Sequence, residues 1–78
     1  MTEQQIQNKI IKRYEKDGFF VVKLINTNKN GIPDLIVMKQ NEFFFVEVKK
    51  PDGKLSKLQE YRIEELKNFG IETRIERE

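Results

Sequence analysis

Pro33–Lys50 reads PDLIVMKQNEFFFVEVKK, and two apolar runs, LIV and FFFVEV, dominate it. Runs this short and this rich in β-branched and aromatic residues predict strands of a small core. Each carries an acid, Asp34 at the start of the first and Glu47 near the end of the second, with Lys49 two residues further on. A carboxylate on a buried strand costs free energy unless it is paired or binds a cation.

The two runs form a hairpin if the loop between them is even in length and centred between Gln40 and Asn41. Met38 then faces Phe43, Ile36 faces Phe45, and Asp34 lies opposite Glu47. Directly opposed Cβ atoms are about 4.5–5.5 Å apart, and like charges there repel. An odd-length loop would break the pairing. Glu47 and Lys49, two apart on one strand, share a face.

Outward from the hairpin, Thr2 and Gln5 form a capping box that starts a helix. Ile6, Ile10 and Tyr14 lie on one stripe of it, and the helix ends near Gly18. FFVVKL predicts a strand and NTNKNG a polar loop. Beyond the hairpin, Ser56 and Gln59 repeat the capping box before a second helix that stops at Gly70. IETRI alternates as a last strand, so the order is αβββαβ in a single α/β domain covering residues 1–78. Central strands apolar on both faces predict a sheet covered on each side, by helices or by a partner. Tyr14, Tyr61 and the phenylalanines are assigned to the core.

A chain of 78 residues has a core close to the lower limit for independent folding. It has no cysteine for disulfides or thiolate metal sites, and no histidine for zinc or for acid–base work at neutral pH. Chemistry must therefore run on carboxylates, lysine or hydroxyls. No run is long and apolar enough for a membrane span, and the polar N-terminus does not resemble a signal peptide. The expected setting is soluble and intracellular, in cytoplasm or nucleoid, for a cellular or virus-encoded protein. The net charge of +2 says little about partners. The basic stretch KKPDGKLSK, read by itself, is a solvated loop.

Two carboxylates and one lysine at a sheet edge admit two readings. Oxygen-only ligands suit magnesium or manganese, and such an ion acidifies a coordinated water and neutralises phosphate charge. Alternatively, Lys49 neutralises Glu47 in a salt bridge and Asp34 only follows a proline turn. The spacing itself does not choose, because Asp52-Gly53-Lys54 and Glu65-Leu66-Lys67 repeat it, and Pro51-Asp52 repeats Pro33-Asp34. Those copies fall in a turn and on a helix, where i and i+2 do not share a face. Glu3 lies on the inward stripe of the first helix, where it also suits the helix dipole. Gln59 heads a stripe with Ile63 and Leu66.

In order, GIPDLIV, FFFVEVKK and GKLSKLQ closely resemble the virus-type replication-repair nuclease (VRR-NUC) domain of the PD-(D/E)XK superfamily. The resemblance covers nearly the whole chain and implies a restriction-endonuclease-like core, a mixed sheet flanked by helices, in a minimal stand-alone member. It implies that Asp34, Glu47 and the Val48 carbonyl hold Mg2+ or Mn2+ and that Lys49 is the catalytic lysine. Gln59 would support the site, and Glu3 would match the first-helix glutamate. The implied activity is DNA endonuclease cleavage, with Lys29, Lys50, Lys54 and Lys57 on backbone phosphates. A homodimer acting on branched DNA such as a four-way (Holliday) junction, in DNA repair, follows from the same likeness. The alternatives are a non-catalytic nucleic-acid-binding or assembly module, and a nuclease active only with a partner protein.

Overall fold

The computed structural model describes residues 1–78, in the order α1 (Glu3–Lys16), β1 (Phe20–Lys23), β2 (Leu35–Lys39), β3 (Glu42–Lys49), α2 (Lys57–Asn68) and β4 (Glu72–Arg77). Both helices start with the expected reciprocal capping boxes, Thr2 with Gln5 and Ser56 with Gln59. Gly18 and Gly70 follow the helix ends with φ of +89° and +82°, the left-handed backbone that glycine adopts without a Cβ penalty.

The four strands form one sheet in the order β1-β2-β3-β4. β1–β2 and β2–β3 are antiparallel, whereas β3–β4 is parallel and connected through α2. The hairpin has the expected register, Ile36 on Phe45 and Met38 on Phe43. Gln40 and Asn41 connect β2 to β3, and Asn41 takes a φ of +67°, which its short polar side chain tolerates.

β3 decides where the core sits and where the chemistry sits. Alternation sends Phe44, Val46 and Val48 to one face and Phe45, Glu47 and Lys49 to the other. On the first face, Ile6, Ile10 and Tyr14 of α1 close over Leu35, Val37, Phe44, Val46 and Val48, all buried. Each such side chain contributes about 1.5–3 kcal/mol by leaving water. Tyr14, Phe19 and Phe44 meet edge to face, with ring centroids 5.4–5.9 Å apart. The seam between α1 and β4 is polar: Tyr14 and Arg13 both donate to Glu76, Arg13 over 2.7 Å. Arg74 lies 3.6 Å above the Phe44 ring, closing the core at its rim.

The opposite face is covered only in part. α2 buries none of its residues fully, and the sheet is wider than one helix. The assignment of Tyr61 and all the phenylalanines to the core is therefore corrected. Phe44 and Phe45 are buried, but Phe20 is 65% exposed, Tyr61 59%, and Phe43 and Phe69 are also exposed. Phe20 lies on the edge strand of the uncovered face, Tyr61 on the outer side of α2, and Phe69 just past the helix end. No helix is long and apolar enough to cross a membrane.

Candidate active site

The β2–β3 ladder ends at Leu35–Val46, so one step further Asp34 stands beside Glu47. Beyond the last pair, the Val48 N–H donates to Asp34 Oδ2 at 2.9 Å. That bond ties the aspartate to the strand bearing the glutamate. The Leu24 N–H donates to the Asp34 carbonyl at 2.9 Å, which fixes the same residue from the β1 side.

Glu47 is only 2% exposed and Lys49 9%, both unusual for charged side chains. Lys49 Nζ lies 3.9 Å from Glu47 Oε2, at the limit of an ion pair. Gln59 reaches the same oxygen from the first turn of α2, its Nε2 donating over 3.4 Å, while its Oε1 accepts from the Ser56 N–H at 2.9 Å. One glutamine thus caps α2 and also reaches Glu47.

The electrostatics show what the lysine leaves unbalanced. Burial first, and then the Asp34 charge and a proton shared with Asp34, push the Glu47 carboxyl up to about 8; Lys49 opposes this, and Glu3 adds to it. A carboxylate neutralised by a salt bridge would be displaced the other way. Without a cation, Glu47 favours its protonated form at neutral pH.

A divalent cation fits this donor set: a carboxylate whose ionisation is opposed, Glu47, beside a second carboxylate, with hard oxygen ligands and no histidine or cysteine to compete. Asp34 and Glu47 are the side chains here that could hold one. No group of three or more acidic side chains gathers here. The inward placement of Glu3 is corrected: it is exposed, because it precedes Ile6, the first buried residue of α1; it is close enough to act on Glu47 through its charge but is not part of a three-carboxylate cluster.

The four basic candidates, Lys29, Lys50, Lys54 and Lys57, are all exposed. Lys50 and Lys54 flank a tight turn held by a Gly53 N–H to Lys50 carbonyl bond of 2.9 Å. Arg77 donates to the Lys50 carbonyl at 3.1 Å and also to that of Gly53. Arg62 donates to the Asn30 carbonyl at 2.8 Å and pairs with Glu65. Neither arginine was singled out from the sequence. Their partners lie 27 and 32 residues away, so no local pattern marks them.

The VRR-NUC domain family model matches residues 20–77, a span that includes Asp34, Glu47, Lys49 and Gln59 and excludes Glu3. A solved structure titled "VRR_NUC domain" superposes with a TM-score of 0.82 at 29% identity, covering 94% of this chain and 81% of that one. No curated protein matches. With the sheet order, the paired acids and the family match in agreement, the chain belongs to the VRR-NUC nuclease domain family.

Proposed function

We propose that the protein is a Mg2+- or Mn2+-dependent DNA endonuclease, structure-selective for branched DNA such as a four-way junction, and that it acts as a homodimer. The observation that carries this reading is the half-buried Asp34 set beside the buried Glu47, whose charged form is disfavoured there, with the buried Lys49 3.9 Å from it. A scaffold or simple binding module has no use for so costly an arrangement.

Asp34, Glu47 and the Val48 carbonyl would hold the cation, which supplies Lewis acidity toward phosphate and an acidified water. Gln59 fixes the orientation of the Glu47 carboxylate, and the Val48 N–H fixes that of Asp34. Lys49 brings a positive charge to where a phosphate oxygen gains negative charge during attack, a role in which a fixed donor acts most strongly away from water. Glu3 adds negative charge at the margin. Lys29, Lys50, Lys54 and Lys57 would contact backbone phosphates and so set register rather than sequence preference.

The exposed Phe20 and Phe43, on the sheet face that α2 leaves open, are the natural surface for a second copy to cover. A two-fold dimer would present two sites to two strands, matching the symmetry of a junction.

The test is cleavage of labelled four-way junction, flap, duplex and single-stranded DNA in Mg2+, Mn2+ or EDTA, with wild type beside Asp34→Ala. Metal-dependent cutting lost in Asp34→Ala is the expected result. Binding without cutting in every metal would turn the reading toward a binding module or a nuclease that needs a partner.

A further inference from the structure

The loop between β1 and β2 builds a second recess beside the carboxylate pair. It has a volume of about 340 Å3, and its wall includes Asn26, Thr27, Lys29, Asn30, Pro33 and Asp34. Asp34 belongs both to this wall and to the candidate metal site. Anything seated here therefore adjoins the phosphate under attack.

The loop is fixed in shape before any ligand arrives. Arg62 of α2 holds the Asn30 carbonyl at 2.8 Å, and Glu65 holds Arg62 at 2.9 Å. The next residue, Gly31, has a φ of +79° and lies so close to α2 that a Cβ there would stand 2.6 Å from Leu58 Cγ. At the tip, the Thr27 hydroxyl donates to the Lys29 carbonyl and accepts from the Lys29 N–H. These bonds use the Thr27 hydroxyl and main-chain atoms of the loop. The Asn26 and Asn30 amides are left exposed and free for a ligand.

Size and chemistry together narrow the ligand. The volume is at the small end of ligand pockets, roughly 300–1,000 Å3, which suits one nucleoside and not a duplex. An amide offers a donor and an acceptor side by side, the complement of a base edge and of adenine in particular. A base inside a stacked duplex cannot enter such a recess; an unpaired one can, at little unstacking cost. Lys29 at the rim suits an adjoining phosphate.

We infer that the Asn26–Asp34 recess takes the base of an unpaired nucleotide next to the cleaved phosphate and so directs the enzyme to irregular DNA. The inference rests on the nuclease reading above, and it is tested by binding, so the two can fail separately. The probes are duplexes carrying one unpaired adenine, an abasic residue at the same unpaired position, or no unpaired residue. Affinity is measured by fluorescence anisotropy in EDTA. The unpaired adenine should bind tightest, about tenfold better than the abasic probe, the discrimination one bidentate contact provides. Asn26→Ala and Asn30→Ala should abolish that difference, as should Asn26→Leu and Asn30→Leu, which nearly keep the shape and add no charge but remove both donor and acceptor. Melting curves verify that the variants fold. If such binding persists in a protein that cuts no DNA in any metal, the recess stands and the nuclease reading falls. Equal affinity for adenine and abasic probes in an active nuclease overturns the recess, as does a uniform loss across all three probes in the asparagine variants.

Discussion

Withdrawing divalent cations should make this protein more stable in mild acid than in mild base, and Glu47 is the reason. Its carboxyl ionises near the ordinary value of 4.5 in the unfolded chain but near 8 in the folded, metal-free chain. A folded pKa above the unfolded one means that the native state binds the proton more tightly. The resulting stability is fully present below about 4.5 and is lost as pH rises toward 8. At about 1.4 kcal/mol per unit, the rise from pH 5 to pH 8 removes roughly 3 kcal/mol through Glu47. A domain of this length has only about 4–12 kcal/mol in total, so the loss is large. In melting temperature it amounts to a fall of about 10 °C or more. Thermal unfolding followed by circular dichroism in EDTA, from pH 5 to 8, reads this directly. Glu47→Gln, which cannot ionise, should lack this component of the slope. Saturating Mg2+ should restore the wild type at pH 8, because the cation replaces the proton. Parallel pH curves for wild type and Glu47→Gln in EDTA would refute the assignment.

Lys49→Ala is expected to reduce cleavage at least ~100-fold while the far-ultraviolet spectrum stays native; full activity would remove the lysine from the mechanism. Adding Mg2+ or Mn2+ at pH 8 should raise the melting temperature of wild type, and a curve indifferent to metal in both wild type and Asp34→Ala would count against the site. Sedimentation at micromolar concentration should show a dimer that Phe20→Lys with Phe43→Lys splits, whereas a monomeric wild type would sink the assembly proposal. Gly31→Ala should cost about 1–3 kcal/mol in urea unfolding. Gly70→Ala, at a similar φ of +82° but with open space around it, should cost less, and equal losses would show that Leu58 does not crowd Gly31.

The hairpin, and with it the juxtaposition of Asp34 and Glu47, was legible in the sequence. A β-strand has a period of two residues, so the two apolar runs admitted only a few registers, and an even loop brought Asp34 to Glu47. The capping boxes fixed both helix starts, and with them the place of Gln59. The depth of Glu47's burial was not legible, because it depends on α2 lying over that end of β3. Nor was the exposure of Phe20, Phe43, Tyr61 and Phe69: composition marks an aromatic as apolar but does not say whether a four-stranded sheet has enough helix to cover it. The grips of Arg62 on Asn30 and Arg77 on Lys50 were hidden for a related reason. They join main-chain carbonyls, which every residue has, to arginines distant in sequence.

The faces of β3 are pinned by burial, with Phe44, Val46 and Val48 under α1 and Glu47 beside Asp34 on the other side. A residue added at the exposed Gln40–Asn41 tip would therefore be taken up as a longer loop, far from the acids. A residue added inside β3, between Phe45 and Val46, has no such outlet: it would leave Phe44 in place and send Glu47 toward the core while Val46 and Val48 turned outward. An insertion library spanning Gln40 to Lys49 should thus be permissive at the tip and intolerant within the strand, so the reading frame of the active centre is kept by the strand's buried face and not by the turn that precedes it.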